Sequence, residues 1–123
     1  MTKRDDRVSL VDMLVYPEEA IELLGETSAV ELADERTLRL ALERLVGIVG
    51  EAARRVSPAT QQRHPEIPWA EIIGMRNRVV HGYDAIDLSR MWDTVKYEMP
   101  PLVEQLVAIV GRDPGRPVPS EGP

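Results

Sequence analysis

The chain contains no cysteine. Disulfides and thiolate metal ligands are therefore excluded as sources of stability or chemistry. A cysteine-free chain also suits a reducing cytoplasm. No long apolar run is present. The opening residues, Met-Thr-Lys-Arg-Asp-Asp-Arg, lead into no stretch suited to a signal peptide, and prolines and charges leave no membrane-spanning run. The expectation is a soluble cytoplasmic protein with no membrane partner. Internal repeats and the alternating pattern of strands are also lacking. Imidazoles are scarce: His64 and His81 are the only two, and no carboxylate is spaced with them as a second ligand on one helix turn. Neither a metal nor another cofactor is expected. A basic excess is missing too. The net charge of −6 argues against tight binding of nucleic acid by charge alone.

The charge that is present is unevenly placed. Residues 1–33 carry three basic and eight acidic side chains, residues 34–83 eight and six, and residues 84–123 four and seven. The middle of an acidic chain is thus basic, and local potential governs attraction to phosphate more than global charge does. Arginines of this kind also commonly solvate a helix face.

Helical spacing dominates the rest. Leu38, Leu42, Leu45, Val49, Ala52 and Val56 recur in steps of three and four, which places them on one face. Asp34 and Glu35 signal the start of this helix and Ser57-Pro58 its end. Gly47 and Gly50 inside it each cost about 1 kcal/mol against Ala, which points to close packing by another backbone. An earlier helix is expected from about Asp5 to Leu24, with Val8, Val11, Leu14, Val15, Ile21 and Leu24 as its apolar set. Pro17 should kink or split it, and Gly25 should cap it. Residues 26–33 form a connection with about one helical turn. A short helix is expected within 59–64. A third main helix should open at Trp69 and end near His81, with Gly82 as the stop and Ile72, Ile73, Val79 and Val80 inside. The fourth should begin after Asp87, with Leu88, Met91, Trp92, Val95, Met99, Leu102, Leu106 and Ile109 in register and a bend at Pro100-Pro101. Trp69 and Trp92 fit the apolar period and read as core. The predicted fold is an all-α antiparallel four-helix bundle over residues 1–111, with an extra short helix and a flexible Pro/Gly-rich tail over 112–123.

One segment carries chemistry: Arg76-Asn77-Arg78-Val79-Val80-His81-Gly82-Tyr83. His moves protons near neutral pH. Arg holds phosphate and offsets charge developing in a transition state. Asn orients either group. RNA brings its own nucleophile in the 2′-hydroxyl, so proton transfer and phosphate stabilisation suffice to cleave it. On an ideal helix Asn77 and His81 share a face, whereas Arg76 points about 140° away from His81. A His at a helix end is also an ordinary C-terminal cap or core contact, so spacing alone leaves both readings open.

The wider string Ile67-Pro68-Trp69, Ile73-Gly74-Met75-Arg76-Asn77 and His81-Gly82-Tyr83, with Ala33-Asp34-Glu35-Arg36-Thr37, Gly50-Glu51-Ala52 and Trp92, resembles the HepT-like HEPN proteins over roughly residues 5–110. These are toxins paired with a minimal nucleotidyltransferase antitoxin. The resemblance implies a homodimeric endoribonuclease in which Arg76 and His81 are catalytic, Asn77 assists, and the two copies of the motif face one cleft. It implies that the partner transfers AMP to Tyr83 and so silences the toxin. It favours a structural or site-supporting role for Glu51, placed as an ion-pair partner of an arginine. Arg54, Arg55 and Arg78 are candidate contacts to the RNA backbone, with surface solvation as the other reading. Two alternatives remain: a non-catalytic substrate-binding or regulatory subunit of the nucleotidyltransferase, and a nucleotide-binding bundle that uses the Arg76 region to hold a phosphate.

Overall fold

A computed structural model describes residues 6–80 and 86–112. Four helical segments form the bundle, and among the described residues none is a strand. The long helix α1 (Asp6–Leu24) packs between α3 (Arg36–Arg55) and α8 (Met99–Val110). The one-turn helix α2 is Ala29–Leu32 and the short α4 is Pro58–Arg63. Next come α5 (Trp69–Ile73), α6 (Met75–Val79) and α7 (Leu88–Asp93). The expected tail lies, beyond Arg112, outside the described residues. Among the described residues no helix is long and apolar enough to cross a membrane.

Pro17 sits inside α1 without splitting it. The ring is buried, so packing offsets the missing N–H and the local strain. The buried face differs from the expected one: Ser9, Leu10, Met13, Leu14, Pro17, Ala20 and Leu24 turn inward, while Val8 and Val15 are 45% and 38% exposed. This helix carries apolar residues on several sides, and its two neighbours together choose which of them are covered. Gly25 takes φ +51° and donates its N–H to the Ile21 carbonyl at 3.0 Å, as a left-handed cap does. The connection that follows contains one turn, closed by a capping box. Glu31 N donates to Ser28 Oγ at 3.0 Å, and Ser28 N donates to Glu31 Oε1 at 2.9 Å.

Neither Asp34 nor Glu35 caps α3 with its side chain. The chain arrives there straight from α2, through a tight turn in which Asp34 N–H donates to the Glu31 carbonyl and Glu35 N–H to the Leu32 carbonyl. Arg39 reaches back to the carbonyls of Leu32 and Ala33. The inward stripe of α3 is as periodicity predicts, with Leu42, Leu45, Val49, Ala52 and Val56 buried and Leu38 partly so. At its far end Ser57 caps α4, with Pro58 in the first turn. Asp6 of α1 fastens this corner by accepting from Ser57 N at 3.1 Å, Ser57 Oγ at 2.7 Å and Thr60 Oγ1 at 2.6 Å.

The third segment departs from expectation in two ways. It breaks at Gly74 into α5 and α6, and it ends at Val79. Gly74 adopts φ −89°, ψ 6°, a conformation outside the helical well. Val80 is extended and forms an isolated antiparallel bridge with Ile86, and Asp87 N–H donates to the Val79 carbonyl at 2.7 Å. The fourth segment also differs. A π-helical turn, Thr94–Glu98, separates α7 from α8. Pro100 and Pro101 lack the N–H groups that α-helical bonding would direct at Lys96 and Tyr97. The chain instead widens, and Met99 N–H donates to Thr94, five residues back. The indole N–H groups of the half-buried Trp69 and Trp92 donate to His64 O (3.0 Å) and Thr27 O (2.8 Å), so both tryptophans brace the core.

Candidate active site

The site forms where the third segment lies across α3. Gly50 permits the contact: a Cβ there would stand 3.2 Å from the carbonyl oxygens of both Ile72 and Ile73. The close backbone approach expected at Gly50 is therefore real, and it is the end of α5 that approaches. Gly47 has a different neighbour. A Cβ at Gly47 would meet Arg76 Cδ at 3.5 Å, so a side chain passes over it rather than a backbone.

Arg76, the second residue of α6, crosses α3 over Gly47. One partner of its guanidinium is Glu43: Nη2 lies 3.5 Å from Oε2. The two side chains are 47% and 19% exposed, so the pair sits at the rim with the carboxylate on the inner side. Arg76 and Asn77 both open on a cavity of about 520 Å³ with Gly47 and Gly50 in its lining. Glu43, Arg44, Glu51 and Arg54 complete its polar wall. Glu51 pairs with Arg54, its neighbour on the next turn, at 3.5 Å, with both side chains more than half exposed. Such a pair contributes roughly 0–1 kcal/mol to stability. Beyond Gly47 a second recess of about 290 Å³ continues toward α1, lined by Asp12, Tyr16, Arg44, Ile48, Glu51 and Arg55.

Of the residues singled out from sequence, Arg76, Asn77, Glu51 and Arg54 share the larger cavity, and Arg55 lines the adjoining recess. Arg78 does not join them. It turns toward the π-helical turn, where Nη2 donates to Glu98 Oε1 at 3.2 Å, and it also donates to the Glu71 carbonyl of α5 at 3.0 Å. There it lines a separate groove with Met75, Tyr97 and Pro101. His81 and Tyr83 lie outside the described residues. The expectation that Asn77 and His81 share a helix face therefore also lies outside the described residues; α6 itself ends at Val79, and Val80 is extended. His64 is placed in the α4–α5 connection, 3.5 Å from Glu66.

Sequence reasoning missed Glu43, Arg44 and Gly47 as parts of this site. A signal existed in their spacing: positions 43, 44, 47, 50, 51 and 54 recur at three and four and trace one stripe of α3. Nothing in that spacing says that the stripe faces α6. Among the described residues no three His, Cys, Asp or Glu side chains gather as metal ligands.

Comparison with known proteins is consistent in direction. A family model described as "Ribonuclease HepT-like" matches residues 13–109. The chain is 37% identical over 89 residues to "Probable ribonuclease HepT" of Thermococcus cleftensis, covering 68% of this chain and 80% of that protein. It is 29% identical over 110 residues to "Putative RNase MJ0125" of Methanocaldococcus jannaschii, covering 89% and 95% of the two chains. A protein of the same organism named in the same way, MJ1380, is 31% identical over 106 residues, covering 86% and 97%. No solved structure matches the chain significantly.

Proposed function

Because the chain belongs to the HepT-like ribonuclease family, we propose that it is a metal-independent endoribonuclease whose reaction is carried by Arg76 and His81 with help from Asn77. The supporting observation is that Arg76 and Asn77 open on one cavity whose polar wall also carries Arg44 and Arg54, beside Glu43 and Glu51. A phosphodiester entering it meets a half-exposed guanidinium. That group is suited to two-point contact with phosphate oxygens.

In the proposed reaction the ribose 2′-oxygen attacks the adjacent phosphorus. A bond forms between O2′ and phosphorus, and the bond from phosphorus to the 5′-oxygen of the next nucleotide breaks. The 2′-hydroxyl proton leaves, and the departing 5′-oxygen takes one up. His81 is the group suited to move these protons. Arg76 offsets the negative charge that gathers on the phosphoryl oxygens. The products are a 2′,3′-cyclic phosphate and a 5′-hydroxyl. Arg54 and Arg55, with Arg44 between the two cavities, supply contacts for the flanking phosphates.

The same reading extends to biology. The chain acts as the toxin of a toxin–antitoxin pair and works as a homodimer in the cytoplasm. A partner minimal nucleotidyltransferase silences it by transferring AMP from ATP to the Tyr83 hydroxyl, with pyrophosphate as the leaving group. The resemblance of the Ile67–Tyr83 string to such toxins supports this extension. The test is RNA cleavage under excess chelator by the wild-type chain and by the Arg76→Ala, His81→Ala double variant. Cyclic-phosphate ends that vanish in the double variant are expected. Intact activity in the double variant would overturn the assignment. An intact-mass increase in multiples of AMP after incubation with the partner and ATP, absent in Tyr83→Phe, tests the switch.

A further inference from the structure

We infer that Glu43 and Gly47 form a cradle that positions Arg76, with Glu43 as a positioning residue for the proposed cleavage; this rests on the reading of Arg76 as a phosphate-binding group. The two residues are one turn apart on α3 and so lie on the same face. At Gly47 Arg76 Cδ passes 3.5 Å from where a Cβ would be, so an alanine would only touch the arginine stem and a longer side chain would take its path. Glu43 stands at the end of the path and meets the guanidinium at 3.5 Å. The carboxylate is the more enclosed of the pair, 19% exposed against 47%, so the fold holds the acid and the acid holds the base.

An arginine side chain has many rotamers, and a half-exposed one retains most of them. Fixing the guanidinium before substrate arrives removes that entropy cost from the reaction step. Glu43 also keeps the charge of Arg76 partly compensated until phosphate is offered. Here the trough and the acceptor are aligned on one helix stripe, and both meet Arg76.

The experiment separates positioning from simple stability. Glu43→Leu keeps the size and suits an enclosed site, and Glu43→Gln retains an oxygen that accepts a guanidinium N–H. Single-turnover cleavage of a short RNA is measured for each in the wild-type and the Arg76→Lys background. Glu43→Leu is expected to lower kcat about tenfold with KM within about twofold, and Glu43→Gln to restore most of the loss. In the Arg76→Lys background the Glu43→Leu loss should shrink to less than about twofold, because the two residues act as one unit. An equal loss in both backgrounds, or a rise in kcat/KM, overturns the cradle. A second readout needs no RNA. The Nε–Hε resonance of Arg76 in the free protein is expected to shift between wild type and Glu43→Leu. An unchanged resonance overturns the cradle. A wild-type chain that cleaves no RNA refutes the proposed function instead, and the resonance then decides the cradle alone.

Discussion

Gly47 and Gly50 lie three residues apart in one helix, yet alanine at these two positions should change stability in opposite directions. Alanine in a helix interior is favoured over glycine by about 1 kcal/mol. At Gly47 nothing opposes that gain. The new Cβ would meet Arg76 Cδ at 3.5 Å, an ordinary contact with a flexible stem. At Gly50 the Cβ would meet two backbone oxygens, those of Ile72 and Ile73, each at 3.2 Å. Relief there requires the end of α5 to move off α3, and that shift disturbs the buried Ile72 and the partly buried Ile73. Overpacking of this sort costs roughly 1–3 kcal/mol, which exceeds the helix gain. Gly50→Ala should therefore be destabilised by about 1 kcal/mol net, a fall of roughly 4 °C in Tm for a domain of this size. Gly47→Ala should be stabilised by up to about 1 kcal/mol. Urea and thermal unfolding followed by circular dichroism, at one fixed protein concentration, measure both. A Gly50→Ala protein as stable as Gly47→Ala would refute the close approach of α5 to α3, and with it the placement of Arg76 over Gly47.

Thr60 is 5% exposed and donates to Asp6 across 54 residues of chain. Thr60→Val keeps its shape but strips hydrogen bonds from Asp6 and from Arg63, whose Nη2 donates to Thr60 Oγ1 at 3.0 Å, so urea unfolding should show a loss of about 1–2 kcal/mol. Thr60→Ser should recover most of it. Arg78→Ala removes the link from α6 to Glu71 and Glu98. It should lower Tm by a few degrees, a cost of about 1 kcal/mol, while KM for RNA stays within about twofold because the side chain faces away from the Arg76 cavity. A KM raised tenfold or more would return Arg78 to the RNA-binding surface.

Much of the bundle was legible in the sequence because its signals are local. The three-and-four spacing from Leu38 to Val56 depends only on helix geometry, and so do the Gly25 cap and the Ser57-Pro58 junction. Arg76 and Asn77 stand out through residue type, and the fold brings both to one cavity. Other features were not legible, because they depend on what lies opposite in space. Val8 and Val15 are apolar and helical, yet they lie exposed because α3 and α8 together decide which side of α1 is covered. The break at Gly74 and the end at Val79 reflect the seating of α5 on Gly50 and the pairing of Val80 with Ile86. Arg76 and Arg78 look equivalent along the chain, and only the fold sends one to the cavity and ties the other to Glu98.

By itself, then, the sequence determined the helical class and the order of the segments, since each follows from short-range spacing and intrinsic chemistry. Only the tertiary structure decided which stripe of α3 meets α6. That meeting makes a glycine at 47 into a path for Arg76 and a glutamate at 43 into its acceptor. The physical reason is that burial and electrostatic pairing act between surfaces distant in sequence. Periodicity can orient a residue on its own helix, but it cannot name the neighbour that residue will touch.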